Sequence, residues 1–506
     1  MTDSTQDPLK DSTISYDIAE PRPESLIQSL RAFGYDLSTA IADIIDNSIS
    51  AGAKNIAINF FWDGEDSYIG IQDDGSGMSE EQLVTAMRPG SRSPLEVRDP
   101  KDLGRFGLGL KTASFSQCKK LTVASKNEGG QINIRCWDLD YVTTTGEWRL
   151  LKTGSSVMTS LSRSLEPQTS GTIVLMESLD RLTKGLKVDS ERDHDKFLED
   201  AERVKNHLAM VFHRFIERVN GTKISINGRQ VKAWDPFLSN EPATQNLTEE
   251  AHDILDGRLI VKPYILPHVS KISEETHARA AGPNGWNAQQ GFYVYRNSRL
   301  VVAGDWLGLG FQKEEHYKLA RILLDLPNSM DEHWELDVKK SRAYPPAFFR
   351  RELKRIAQIT RQRAAEVYRY RGKIIAREHS NNFSYTWDRK VSHGKIFYSI
   401  NREHPFVKSL LANADVGKEV SSLLRLVEET IPLPLITVDN TENPGKQAQP
   451  FDGVASDEVK RLATDIYHTL RRGSLTRDAA IERIKTMEPF NLYYEELHTY
   501  LGSLGG

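Results

Sequence analysis

Asp43 and Asn47 stand four residues apart in TAIADIIDNSIS, whose apolar residues recur at helical spacing, so both side chains fall on one helix face. A carboxylate there can take a proton from an attacking water, and the amide oxygen can ligate a divalent cation. Solvated polar positions on an amphipathic helix are the plainer meaning of the same pair. A second constellation, DDGSGM from Asp73, follows directly on a strand-like run. Asp73 can accept a hydrogen bond from an exocyclic amine of a heterocycle, and Gly75 and Gly77 let backbone approach a flat ring closely. Asp-Gly and Ser-Gly are also ordinary turn chemistry, so a tight turn is the alternative. The third piece, LGRFGLGLKTASFS from Leu103, sets Gly104, Gly107 and Gly109 ahead of a helix, where free N–H groups and the helix dipole can hold phosphates. Its GxxGxG spacing reverses the dinucleotide fingerprint, and Leu110 stands before Lys111-Thr112 where a P-loop needs glycine.

These residues need a scaffold, and the pattern supplies one. A helix starts at Pro23, and a second follows Ser38, read as its N-cap, and stops at Gly52. Strand-like runs cover Asn55 to Trp62 and Tyr68 to Gln72. Met87 to Leu103 carries three prolines, a glycine and serines, and reads as a long loop. Leu121 to Ser125 is strand-like, and β-rich sequence runs from Gln131 to Ser178, with GTIVLMESL from Gly171. A helix is expected near Phe197 to Val219, then a hairpin in KISINGRQV, turned by Asn227-Gly228. A second αβ region covers Gly257 to Tyr344, and a long helix runs from Pro346 to Glu378. Residues 1 to 20 are polar and aperiodic, as in a flexible arm.

The chain has 506 residues, 39% hydrophobic and 27% charged, enough apolar material for two to four domains with true cores. A formal charge of -4 puts any nucleic-acid contact on a local basic patch. Cys118 and Cys136 are too few for a disulfide framework or zinc finger. No run approaches the apolar length of a membrane span, and the N-terminus has no secretory pattern, so a cytoplasmic protein without membrane contact is expected.

In their order, helix with Asp/Asn, strand with DxGxG, loop, then GxxGxG and helix, the three pieces resemble the GHKL ATPases, the group of MutL, MORC proteins, gyrase-type topoisomerases and the large heat-shock chaperone. IADIIDNSISAGAK and GRFGLGLKTAS are most similar to the MutL and MORC branch. The resemblance implies an α+β fold: a GHKL (Bergerat) α/β-sandwich ATPase domain over 23–182 behind an arm of 1–22, then a transducer-type α/β domain over 183–346, a basic helix at 347–379 and a mostly helical region at 380–506 for interaction or dimerisation. KISINGRQVKAWDPF, GFYVYRNSRLVV and WELDVKKSRAYPP are the segments that look like the transducer. ATP and Mg²⁺ are the implied cofactors. Asp43 would activate water, Asn47 would hold Mg²⁺, and Asp73 would read adenine. Gly75, Gly77, Met78, Gly104, Gly107, Leu108, Gly109, Lys111, Thr112 and Thr172 would line the nucleotide, under a lid at Met87–Leu103. Lys340 would touch the γ-phosphate, with Lys339 as the alternative. One departure is that MutL and MORC proteins usually carry glutamate at the position of Asp43; Asp46 offers a fallback base.

Outside the ATP motifs, Arg350, Arg351, Lys354, Arg355, Arg361, Arg363, Arg369, Arg371, Lys373 and Arg377, with Tyr368 and Tyr370, make 349–378 the place for sequence-independent contact to DNA, or else a solvated helix paired with acidic neighbours. Neither His393 nor His404 has a ligand partner at useful spacing, so both are expected at the surface. No nuclease motif or zinc reader is visible, and the lack of a phosphoacceptor helix and a sensor region argues against a histidine kinase. By resemblance the chain is expected to be a slow ATPase clamp that forms a homodimer on ATP, acts on DNA, and works with protein partners from a restriction or phage-defence gene cluster; a chaperone-like ATPase acting on protein clients is the alternative.

Overall fold

The computed structural model describes residues 21–32, 34–90, 109–254, 257–331, 333–334, 343–374, 386–392, 395–436, 456–472, 475–487 and 489–503, together with 17 and 384. The chain divides into two compact units, Met1–Ala365 and Glu366–Gly506. In the first, seven strands form a mixed sheet: β1 (Asn55–Phe61), β2 (Tyr68–Asp73), β3 (Lys120–Lys126), β4 (Asn133–Asp138), β5 (Gly171–Glu177), β6 (Lys223–Ile226) and β7 (Arg229–Gln230). Their order is β4-β3-β5-β2-β1-β6-β7, antiparallel except where β6 lies parallel to β1. Along β3 and β5 the side chains alternate. Leu121, Val123, Val174 and Met176 enter the main core, while Ala124, Ile173 and Leu175 pack with Met158 and Leu165 on the opposite face.

Seven helices belong to this sheet: α1 (Pro23–Arg31), α2 (Leu37–Ser50), α3 (Glu80–Met87), α4 (Gly109–Phe115), α5 (Leu139–Thr145), α6 (Ser156–Ser162) and α7 (Glu191–Val211). The helix α2 packs against α4 and α7. Its Ile41, Ile44 and Ile45 are fully buried, each contributing roughly 1.5–3 kcal/mol of apolar burial. Asp36, not Ser38, caps it: its carboxylate accepts from the Thr39 amide at 3.0 Å and the Thr39 hydroxyl at 2.6 Å, so the helix starts a residue before Ser38. Gly52, at φ +78°, ends it as expected.

Three expectations are corrected here. The β-rich reading of Gln131 to Ser178 missed α5 and α6, which Asp138 and Ser155 cap with their side chains. The helix expected to Val219 ends at Val211 and resumes only for His213–Ile216. KISINGRQV, assigned to the second module, instead extends the first sheet as β6 and β7, turning at Asn227 and Gly228 with φ of +47° and +75°.

Six further strands form a second sheet: β8 (Gln245–Asn246), β9 (Glu250–Ile254), β10 (Gly257–Ile265), β11 (Gly291–Arg296), β12 (Arg299–Asp305) and β13 (Ala320–Leu326). The order is β12-β11-β13-β10-β8, with β9 also paired to β10 and β11 parallel to β13. Asn297 and Ser298, both at positive φ, turn β11 into β12. One buried cluster joins Ile58 and Ile71 of the first sheet to Tyr264, Tyr293 and Tyr295 of the second. A helix at Ala347–Ile374 follows, burying Leu353, Ile356, Ala357, Thr360 and Ala364.

The second unit has its own core, with Ala463, Tyr467, Leu470, Ile484, Met487 and Leu501. It contains a hairpin, Trp387–Ser392 with Lys395–Ile400, where only short helical and polar segments were expected. His404 is 5% exposed rather than at the surface. It precedes the helix Pro405–Leu411, and burial, helped by Arg483, lowers its pKa; His393 lies outside the described residues.

Candidate active site

On α2, Asp43 faces inward at 4% exposure, so it is not a solvated surface position. Its Oδ2 accepts from the Tyr35 hydroxyl at 3.1 Å, and a methyl group on Gly109, the first residue of α4, would lie 3.9 Å from that oxygen. Asn47, a turn further on, is exposed and donates through its amide nitrogen to the Asp43 carbonyl at 3.2 Å. That commits the nitrogen to the helix and leaves the oxygen as the atom able to meet a cation. Asp46 is 1% exposed and pairs with Arg299 at 2.9 Å, which takes it out of the running as a fallback base.

Asp73 ends β2 at 6% exposure. Oδ2 accepts from the Ser48 hydroxyl at 2.7 Å and Oδ1 from the Gly75 amide at 3.0 Å. Burial pushes its pKa up, against those hydrogen bonds, which favour the charged form. In the ladder Asp73 sits opposite Thr172, and Thr172 opposite Ser125. The Thr172 and Ser125 hydroxyls are 2.8 Å apart, and Ser125 also receives the Met78 amide at 2.9 Å. The ends of the inner strands β2 and β5, with the segment after β2, thus gather Asp73, Met78 and Thr172. Gly77 (φ +65°) is pressed against the Lys126 carbonyl so closely that a Cβ would overlap it, which makes glycine obligatory. Gly75 is nearly as crowded, with Ala51 Cβ 2.9 Å from where its own Cβ would be.

Lys111 and Thr112 are 2% and 1% exposed, and the Lys111 ammonium donates to the Ala86 carbonyl at 2.9 Å, tying α4 to the end of α3. Gly104, Gly107, Leu108, Lys339, Lys340 and most of the expected lid lie outside the described residues. Sequence reasoning missed Tyr35, Ser48, Ser125 and Arg299. Ser48 alone left a trace, a polar residue on the apolar stripe of Ile41, Ile44 and Ile45.

A buried carboxylate with an exposed amide one turn on thus lies near a strand-end aspartate and a helix opening on glycine. Residues 35–172 match the family described as histidine kinase-, DNA gyrase B- and HSP90-like ATPase, and they form a GHKL-type ATPase-family domain. MORC and MutL proteins are among its relatives. The chain is 30% identical over 91 residues to the ATPase morc-1 of Caenorhabditis elegans, covering 18% of this chain and 10% of that protein. It is 34% identical over 94 residues to the DNA mismatch repair protein MutL of Dictyoglomus turgidum, covering 18% of this chain and 16% of that one. The chain therefore spans only a small part of the length of these relatives. A crystal structure of the N-terminal domain of a DNA repair protein superposes at a TM-score of 0.40 and 16% identity, over 69% of this chain and 99% of that one. No helix among the described residues is long and apolar enough to cross a membrane.

Proposed function

We propose that the protein hydrolyses ATP in a Mg²⁺-dependent reaction in which Asp43 takes the proton of the attacking water. The observation that carries this reading is the pairing of a 4%-exposed Asp43 with an exposed Asn47 one turn on, on a helix joined to Asp73 through Ser48. Asp73 accepts from the adenine amine, with Thr172 and Met78 beside it, and Gly77 gives the base room. Asn47 holds Mg²⁺, which when bound neutralises charge on the phosphates. Gly104, Gly107, Leu108, Gly109, Lys111 and Thr112 line the phosphates, the lid at Met87–Leu103 covers them, and Lys340 reaches the γ-phosphate. Aspartate is one methylene shorter than the glutamate usual in the similar families, so turnover is slow. ATP hydrolysis by the purified protein, abolished in Asp43→Asn with ATP binding kept, tests the assignment.

The second sheet acts as the transducer domain, and nucleotide binding closes two copies into a clamp on DNA with partner proteins from a defence gene cluster. The names of the MutL relatives, DNA mismatch repair proteins, support DNA as the target. The helix Ala347–Ile374 supports it only in part. Arg355 pairs with Glu250 and Glu352, and Arg361 with Glu314, while Arg351 and Lys354 are exposed. The side chains from residue 368 on lie outside the described part. Those internal pairs count against DNA contact by Arg355 and Arg361; the second reading is a chaperone-like ATPase acting on protein clients. ATP turnover stimulated by duplex DNA supports the clamp; turnover indifferent to DNA but raised by an unfolded protein supports the second reading.

A further inference from the structure

Arg299 opens β12 right after the Asn297–Ser298 turn, and its side chain crosses from the second sheet to the helix that carries Asp43. There its side chain is only 4% exposed. Nε donates to both Asp46 oxygens at 2.9 Å, Nη1 to the Leu300 carbonyl at 3.0 Å, and Nη2 stands 3.5 Å from Asp43 Oδ1. The Asp46 and Asp43 side chains are 1% and 3% exposed. Two carboxylates nearly one turn apart on α2 therefore share a guanidinium where water hardly reaches. Tyr35 holds the other oxygen of Asp43. Contacts on both oxygens restrict the rotation of a carboxylate that must aim one lone pair at a water.

The anchor behind Arg299 is firm. Arg218, in the connection after α7, donates to Ser298 at 2.6 Å; His213 meets the Tyr295 hydroxyl at 2.8 Å; Arg214 pairs with Asp325 at 2.7 Å. A counter-ion for Asp46 alone could come from a neighbouring turn of helix. This one comes from 253 residues away, so the contact exists only while the second sheet is docked on α2.

We infer that Arg299 is a positioning residue for the Asp43 carboxylate, and that through it hydrolysis depends on the docking of the second sheet against the base helix. The inference rests on the reading of Asp43 as the base. Arg299→Ala should lower kcat by about 10²-fold, as an ångström of misplacement can, with ATP affinity nearly unchanged. Arg299→Lys keeps the charge but lacks the planar fork, and should fall between Arg299→Ala and the wild type.

The deciding protein is the double variant Asp46→Asn/Arg299→Gln. Removing charge and counter-charge together costs a buried pair little stability, so this variant can be read even if Arg299→Ala fails to fold. Positioning predicts that it binds ATP normally, melts close to the wild type, and still turns over about as slowly as Arg299→Ala. Wild-type kcat in the double variant would overturn the inference, because Arg299 would then serve only to neutralise Asp46. Asp43→Asn, assayed in parallel, separates the two ideas. If it hydrolyses ATP at the wild-type rate, the base assignment fails and the inference with it. If it is inactive while the double variant runs at full speed, only the inference fails.

Discussion

The hydroxyl of Ser48, on the helix that carries Asp43, donates to Asp73 at 2.7 Å. It ties the strand that ends in Asp73 to the helix that carries Asp43, which lies a little over one helical turn before Ser48. Because burial raises the Asp73 pKa, its charge works against the fold. The sign follows from linkage: the favourable contribution is present below the ordinary aspartate value and is lost as pH rises through the raised one. At pH 7 the charged carboxylate is therefore held at a cost in stability. Asp73→Asn should melt at or above the wild-type temperature at pH 7 while losing ATP binding by calorimetric titration. A lower Tm with binding intact would contradict this.

His207, on α7, sits near Arg299, and burial first, then Arg299, pushes its pKa down to about 4. The unfolded chain takes up the proton earlier, so stability present above the ordinary histidine pKa is lost as pH falls toward about 4. The loss over that window is at most roughly 3 kcal/mol. Urea unfolding at a series of pH values should show this acid loss in the wild type and a flatter profile in His207→Gln. Equal slopes would place the acid sensitivity elsewhere.

Two glycines at positive φ make a matched test. A methyl on Gly77 (φ +65°) would overlap the Lys126 carbonyl, whereas at Gly90 (φ +69°) it would meet no atom of the described residues within 4 Å. Gly90→Ala should cost only the backbone strain of about 1–2 kcal/mol. Gly77→Ala should cost about twice that or more and remove ATP binding, because β3 cannot retreat without breaking its ladder. Equal unfolding free energies for the two variants would show that the crowding at Gly77 relaxes.

On the long helix, Arg361 lies over Tyr317 at 3.7 Å and pairs with Glu314 at 3.0 Å, whereas Arg351 and Lys354 are exposed. Arg361→Ala should lower Tm, with a loss of roughly 1–3 kcal/mol. Arg351→Glu with Lys354→Glu should leave Tm unchanged and weaken duplex binding at low salt, lowering the salt slope. Unaltered affinity in the double reversal would exclude this face from DNA contact.

Local patterns carried the parts of the site made within single elements. The apolar stripe of α2, the alternation in β5 and the Asn227-Gly228 turn all lie within one helix, strand or hairpin, where spacing alone dictates which side chains share a face. What escaped reading depends on distant partners. LDYVTTT carries β-branched residues typical of a strand, yet Asp138 caps it as a helix. Beyond the hairpin itself, KISINGRQV held no sign that it would lie parallel to β1, an arrangement set by the helix that precedes it. His404 is buried, with Arg483 from far along the chain near it, and Arg299 reaches α2 across 253 residues. No periodicity encodes such a contact.

Single-turnover hydrolysis of ATP by Asp43→Asn, beside its equilibrium affinity for ATP, addresses the central claim most directly. With Asp43 as the base, affinity stays near the wild-type value and the hydrolysis rate falls by about 10²-fold or more. Wild-type single-turnover hydrolysis in this variant would remove Asp43 from the reaction and contradict the account.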